Sequence, residues 1–313
     1  MSEKNDLKYD VTIVICTYNP RWDKLKKTLD ACITQKNINF QIVITDDGSP
    51  NNLFEQVRIY FQNNQFEDYK LSALEKNKGT VCNVLNGVES SEGEYVKLIS
   101  PGDYFINENI LFEWMRFMKE SACVWSFADA IYYLENGEYT KTKAYPQDVK
   151  VYKKGTKEQR VWNYVALSDI ALGAAILSKR DMCLKYLRRV VDKVIYAEDN
   201  IWRIMMYDGI VGEYYSQNVI FYEWGAGIST SQNDKWSVRL QRDWQTANEI
   251  MINEKKRTPY QDEICKEFYA KKNNNKVLQY LYSPKKHRKI INLLKKKFVV
   301  RYTSCPNKKS SKV

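Results

Sequence analysis

Residues 97–106 read KLISPGDYFI. An apolar, strand-like run breaks at Ser100-Pro101-Gly102 and delivers a single carboxylate, Asp103. Pro and Gly punctuate the chain there, so the run ends in a tight turn and the acid stands at a sheet edge. The same pattern recurs upstream. Residues 11–16 (VTIVIC) and 40–45 (FQIVIT) are continuous apolar runs, read as buried strands, and they end in TYNP and DDGSP. Residues 69–73 and 95–99 read as a third and a fourth strand. Helical segments over 22–35, 51–63 and 80–90 alternate with them, the second capped by Asn51 or Asn52. Alternation of this kind predicts an α/β fold with a mostly parallel sheet covered on both faces. Ligands bind such sheets at the carboxyl ends of the strands. Three unusual turns, TYNP, DDGSP and SPGD, converge there.

Later segments are less regular. A helix is expected over 107–120, strands over 122–133, 139–143 and 173–178, helices over 179–186 and 198–207, and a strand over 219–224. From residue 235 the pattern turns helical, with Trp236, Leu240, Trp244, Ala247 and Met251 recurring on one face. Residues 1–230 therefore read as one α/β domain and 231–313 as a helical C-terminal extension.

Bulk composition bounds the function. The chain has 313 residues, enough for a sizeable core, and its 44% hydrophobic content argues for a globular protein. No apolar run approaches about 18 residues, so no transmembrane helix is expected. The polar start MSEKNDLKYD lacks the centre of a secretory signal. Seven scattered cysteines without a C-x-x-C pair point to a reduced, cytoplasmic compartment. The one histidine, His287, argues against a Ser-His-Asp triad or a His-rich zinc site. The net charge of +11 is unevenly placed: no acid follows Glu267, but 14 Lys or Arg do. The first 267 residues carry 35 basic and 38 acidic side chains, so the body is near neutral and the tail strongly basic.

Four pieces in order, VTIVICTYNP, VITDDGSP, NKG and GEYVKLISPGDYF, resemble the family-2 glycosyltransferases of the GT-A fold over roughly the first 110 residues. The resemblance implies a Rossmann-like mixed sheet and a UDP-sugar donor at its edge. Tyr18, between Thr17 and Asn19, would lie against uracil. Asp46 and Asp47 would bond the base and ribose, and Lys76, Asn77 and Gly79 would sit near the nucleoside and phosphates. The residues alone leave other readings open. Tyr18 also suits a core, the two acids suit turn formers, and Asn77 with Gly79 suits an ordinary helix start.

The family places Asp-x-Asp-Asp, which holds ribose and a divalent metal, where this chain has Ser100-Pro101-Gly102-Asp103. Ser100 then faces the donor without its acid. Asp103 remains as the candidate ligand for Mg²⁺ or Mn²⁺, with helix capping as its other reading. A family histidine that approaches the metal is replaced by Trp224, whose indole cannot ligate a cation. Together these departures imply weakened metal dependence, or basic groups that share the neutralisation of diphosphate.

In YAEDNIWR the resemblance makes Asp199 the catalytic base, with Glu198 beneath the acceptor. An inverting transfer needs one carboxylate to take the proton of the attacking hydroxyl. The helix start is expected to keep Asp199 ionised, and plain helix-start acids are the other reading. Gly173 and Ala174 would line the acceptor side, or only permit close packing. Trp224 and Gly225 would add an aromatic floor for a sugar.

Residues 285–297 read KKHRKIINLLKKK, with seven Lys or Arg around an apolar stripe. A basic amphipathic helix here suits an anionic membrane surface through 285–300, and a solvated charge run is the equal alternative. The combined reading is an inverting transferase for a UDP-sugar. Its acceptor would be a glycan or lipid-linked saccharide, in surface polysaccharide synthesis, at the cytoplasmic face of the plasma membrane. A sugar-nucleotide nucleotidyltransferase is the rival enzyme, but TYNPRW is a poor phosphate loop. A nucleic-acid-binding protein is disfavoured because the basic charge spares the motif-bearing body, and a catalytically dead relative is the third alternative.

Overall fold

The computed structural model describes residues 8–225, 227, 234–272 and 301–303. The first half alternates as the apolar runs dictate: β1 (Tyr9–Thr17), α1 (Trp22–Ile33), β2 (Phe40–Asp46), α2 (Phe54–Asn63), β3 (Tyr69–Ala73), α3 (Thr80–Glu89) and β4 (Gly93–Ile99). There follow a short β5 (Tyr104–Phe105), α4 (Ile110–Glu120), β6 (Trp125–Tyr133), α5 (Val149–Lys154) and α6 (Lys157–Val161). The remainder is β7 (Ile176–Lys179), α7 (Arg180–Val190), α8 (Asn200–Tyr207), β8 (Glu213–Glu223), α9 (Asp234–Ile252) and α10 (Pro259–Lys272).

The strands form one eight-stranded sheet in the order β3-β2-β1-β4-β7-β6-β8-β5. β1 pairs in parallel with β2 and β4, and β2 with β3, so the order reverses beside β1. β7 is antiparallel to both β4 and β6, and β8 runs parallel to β6. The ends of β1, β2, β4 and β8 and the start of β7 therefore share one edge. Crevices at such reversals are where open α/β sheets hold ligands.

Alternation along the strands divides the core. Ile13, Ile15, Ile42 and Ile44 face α1, α2 and α4, while Val14, Val43 and Val96 face α3 and α7. The second face also takes Ile201, Met205 and Met206 of α8, Ala247 and Met251 of α9, and Ile264 and Phe268 of α10. The helical extension thus packs into the same core as the strands.

Some expectations are corrected. Residues 139–143 form no strand; they make isolated bridges, Tyr133 with Tyr139 and Lys143 with Tyr302. Ala122 has a positive φ of 49°, so β6 starts only at Trp125. Gly173–Ala175 is a turn of 3₁₀-helix ahead of β7 rather than its first residues. Most of the expected basic helix, residues 285–297, lies outside the described residues, as do His287 and Cys305. Residues 301–303 lie against the body: Ala144 N donates to Arg301 O at 3.0 Å, and Arg301 pairs with Asp129 at 2.9 Å. Among the described residues, no helix is long and apolar enough to cross a membrane.

Candidate active site

A cleft of about 640 Å³ opens along the shared edge. Thr17 at the end of β1 with Tyr18 and Asn19 after it, Asp47 after β2, and Ser100 and Asp103 after β4 form one wall. Gly173, Ala174, Glu198, Asp199 and Trp224 form the other. Eleven of the sixteen candidate residues thus meet in one space. Asp46, Lys76, Asn77, Gly79 and Gly225 do not line it.

The five outliers divide by position. Asp46 is fully buried and holds the turn together: it accepts from Thr17 Oγ1 at 2.7 Å, Ser49 N at 2.7 Å and Ser49 Oγ at 2.8 Å. Its turn-forming reading holds. Asp47 faces the cleft and also grips the next loop, accepting from Lys78 N at 2.7 Å and Gly79 N at 2.9 Å. Gly48, at φ +71°, lets this turn press against Lys76 and Asn77, where a Cβ would stand 2.4 Å from backbone carbon. Gly79, at φ +96°, starts α3 and abuts Ile195, to whose carbonyl Val81 N donates at 3.0 Å. Lys76, Asn77 and Gly79 thus lie behind the Asp47 turn and connect it to the loop ahead of Glu198. Tyr18 is 52% exposed, so its ring is available and its core reading fails.

Asp103 caps no helix, because α4 starts seven residues later; its Oδ1 accepts Glu223 N at 3.0 Å. Burial pushes the Asp103 carboxyl up to about 7. Glu223, at the end of β8, is a cleft residue that sequence reasoning missed. An acid inside the apolar run FYEW was its signal. It is 4% exposed; Oε1 accepts from Lys24 Nζ at 2.7 Å, and Oε2 is buried with no partner among the described residues. A Cβ on Gly102 would lie 2.2 Å from that Oε2. Glu223 therefore occupies the room that a side chain at 102 would take. No group of three or more His, Cys, Asp or Glu suited to a metal occurs among the described residues. Asp103 and Glu223, the latter with one unpartnered oxygen, are the carboxylates that would face Mg²⁺ or Mn²⁺ here, and Lys24, Lys27 and Lys97 already set positive charge beside them. Such ions take one or two carboxylates and complete their shell with phosphate and water oxygens.

Glu198 and Asp199 stand at the start of α8 on the opposite wall. Burial lifts both carboxyls above their ordinary range, and the neighbouring Asp199 charge lifts Glu198 further. The Arg203 guanidinium and the N–H groups of Asp199 and Asn200 pull Asp199 back down. The sequence led to the expectation that the helix start keeps Asp199 ionised; in the structure burial raises this carboxyl, and Arg203 is the largest influence that lowers it. Arg203 is buried, donates to Asn200 at 3.1 Å and Asn248 at 2.8 Å, and lies 4.2 Å over the Trp244 ring. Burial and mutual repulsion oppose double ionisation of the pair, and Arg203 favours charge on Asp199.

The loop ahead of this pair is held by Asp243 of α9, a second residue missed from sequence. Its Oδ2 accepts Ile195 N at 3.2 Å, Tyr196 N at 2.6 Å and Ala197 N at 3.0 Å. Gly173 faces the acids: a Cβ there would lie 3.8 Å from Glu198 Oε1. Lys97, fully buried on β4, donates to Ala174 O at 2.6 Å and so fixes this segment to the sheet. Trp224 stacks on Tyr132 with ring centroids 5.5 Å apart, and Leu240 and Trp244 of α9 extend the wall.

The family model for glycosyl transferase family 2 matches residues 12–184. Among curated proteins, the uncharacterised glycosyltransferase MG025 of Mycoplasma genitalium is 31% identical over 107 residues, covering 33% of this chain and 34% of that protein. The uncharacterised glycosyltransferase RC0461 of Rickettsia conorii is 25% identical over 138 residues, or 44% of this chain and 22% of that protein. The matches thus span about a third or less of these relatives. Two solved structures share the fold. TarS 1–349 of S. aureus in complex with UDP aligns with a TM-score of 0.55 at 14% identity, covering 83% of this chain and 71% of that one. The mannosyltransferase PcManGT of Pyrobaculum calidifontis, in complex with GDP-Man and Mn²⁺, aligns with a TM-score of 0.60 at 13% identity, covering 93% and 77%.

Proposed function

The chain belongs to glycosyl transferase family 2, and from that premise we propose that it moves a hexose-type sugar from UDP to a hydroxyl of a glycan or lipid-linked saccharide, inverting the anomeric carbon. One observation carries this reading: Asp199 faces, across a single cleft, the strand-end residues Tyr18, Asp47, Ser100 and Asp103. A nucleotide-sugar laid on those residues has its sugar directed at the carboxylate. Fold neighbours bind UDP or GDP-Man, so uridine is the finer part of the proposal and rests on Tyr18 and Asp47.

In the reaction the acceptor oxygen attacks the anomeric carbon and its proton passes to Asp199. The bond to the diphosphate breaks, and its electron pair leaves with UDP. Glu198, holding a proton, can donate a hydrogen bond to the acceptor, and the smooth face at Gly173 and Ala174 leaves the acceptor room. Trp224 offers an apolar face to a sugar. Mg²⁺ or Mn²⁺ held at Asp103 and Glu223 would supply positive charge to the departing diphosphate. Surface polysaccharide assembly at a cytoplasmic membrane face is the setting we infer from the family resemblance and the basic tail.

Calorimetric titration with UDP-, GDP- and dTDP-sugars tests the reading. UDP-sugars should bind, and Asp47→Ala should weaken them. Absence of binding by every nucleotide would overturn the assignment.

A further inference from the structure

This inference rests on the transferase reading. The cleft continues past Gly173 and Ala174 onto an apolar shelf made by Tyr145, Leu172, Tyr222 and Trp224. The sheet holds two of these rings, since Tyr222 lies on β8 and Trp224 follows it. Trp224 is pinned further: its ring lies at 12° to that of Tyr132, and its backbone N–H donates to Tyr133 O at 2.8 Å. Tyr145 belongs to no helix or strand, so its loop must be held in another way.

The hold comes from the far end of the chain. Residues 301–303 cross 140–144 in the antiparallel sense, with Tyr302 bridged to Lys143. Ala144 N donates to Arg301 O at 3.0 Å, Thr303 N to Thr142 O at 3.0 Å, and Thr303 Oγ1 to Thr140 O at 2.9 Å. The Arg301 guanidinium then ties the loop to the sheet. It donates to Pro146 O, through Nε at 3.0 Å and also through Nη2, and to Asp129 of β6 at 2.9 Å. On the other flank Asp169 accepts Gln147 N at 2.6 Å and Asp148 N at 2.9 Å, and the residues after it, 170–172, line the cleft.

These bonds fall on both sides of Tyr145. A ring displayed from a loop tied in this way has little freedom left to lose when a ligand arrives. The shelf adjoins Gly173 and Ala174, which face the Glu198–Asp199 pair, so its occupant is the partner whose hydroxyl must reach Asp199. Aromatic rings with apolar faces and polar edges suit the C–H face of a sugar. We propose that Tyr145 is a specificity-determining residue that meets the sugar ring of the acceptor beside Trp224, and that Arg301 is the positioning residue that holds it there.

Saturation-transfer NMR on the UDP-loaded protein tests this, with the methyl glycosides of glucose, galactose, mannose and N-acetylglucosamine as probes. Calorimetry follows UDP, and hydrogen exchange follows the loop. At least one glycoside should bind. Tyr145→Ala should weaken it about fivefold, and Tyr145→Phe, which keeps the ring, should not. Arg301→Met should speed exchange of the Ala144 and Gln147 amides about tenfold and weaken the glycoside by a similar factor. Arg301→Lys keeps a charge for Asp129 and should restore part of both. UDP affinity should hold throughout, because Tyr18 and Asp47 lie on the other wall. A strap with a structural role alone would speed exchange and leave glycoside binding untouched, and that result overturns the proposal. So does glycoside binding that ignores Tyr145→Ala, or a UDP-loaded protein that takes none of the four sugars. Should Arg301→Met fail to fold, the Tyr145 variants decide alone. Loss of UDP binding by the unaltered protein would instead sink the transferase reading itself.

Discussion

Asp243 Oδ2 accepts the backbone N–H of Tyr196 at 2.6 Å, joining two residues 47 positions apart. Because the same oxygen also takes the N–H groups of Ile195 and Ala197, one buried carboxylate on α9 fixes the approach to Glu198 and Asp199. The helical extension is thus part of the framework of the cleft.

Asp243→Ala leaves three N–H groups without their acceptor. Each unsatisfied buried group costs about 1–3 kcal/mol, with partial relief where water enters, so a loss of about 2–4 kcal/mol is expected. Urea unfolding measures it. Steady-state kinetics should show kcat falling more than donor KM rises, because the disturbance reaches the base and spares Tyr18 and Asp47. An unchanged kcat would refute the positioning role.

The first four strands were legible because their continuous apolar runs end in turns that only Gly, Pro, Asn and Asp supply. Residues 139–143 read as a strand because Tyr and Thr favour one, yet no neighbouring strand offers them a ladder. That Asp199, Asp47 and Tyr18 would share one cleft was legible through ordered motifs. Glu223, Asp243 and Arg203 were not, since each acts through a partner distant in sequence: Lys24, the 195–197 loop and Trp244. Each did leave a trace. All three are charged residues on apolar strand or helix faces, and Asp243 sits three residues after Leu240 on the buried side of α9.

The pH profile follows from the acid pair. Burial raises the Asp199 carboxyl, and only its ionised form can accept a proton. Activity should therefore rise with pH through a value above the ordinary Asp range of about 4. Arg203→Met removes a charge that favours ionisation, so the acidic limb moves up. Asp243→Asn removes a negative neighbour, so the limb moves down. A limb of kcat/KM that ignores both substitutions would remove Asp199 from the assignment.

Gly79→Ala tests the coupling between the Asp47 turn and the Glu198 loop. The new Cβ would stand 2.4 Å from Ile195 Cγ2 and 2.7 Å from Ile195 O, at φ +96°. The methyl group can turn away, but the carbonyl belongs to the loop that Asp243 clamps. Strain of about 1–3 kcal/mol is expected. A lowered melting temperature and weaker UDP binding should appear together, because Asp47 accepts from Lys78 N and Gly79 N. Retention of both would show that the contact relaxes freely.

Asp199→Asn keeps the shape of the site and removes the proton acceptor. Transfer should fall by about 10²–10⁴, the usual worth of a general base. UDP affinity should hold, since Asp199 stands on the wall opposite Tyr18 and Asp47. Calorimetry and a product assay separate the two effects; turnover within threefold of the original, on the order of 0.7 kcal/mol, would dismiss the base.

Gly173 distinguishes an acceptor wall from simple packing. A Cβ there meets Glu198 Oε1 at 3.8 Å and Asp199 Cβ at 4.0 Å, both ordinary contacts, and the backbone is not left-handed. Gly173→Ala should therefore fold normally, with a melting temperature at or slightly above the original, because alanine narrows the unfolded ensemble. Gly173→Leu would project its larger side chain toward the acids, where the incoming hydroxyl must reach Asp199. Acceptor KM should rise in the order Gly, Ala, Leu while UDP affinity stays constant, as Tyr18 and Asp47 lie on the other wall. If the Leu variant binds and glycosylates its acceptor as well as the original does, the acceptor enters elsewhere, and the 173–175 turn serves only to start β7.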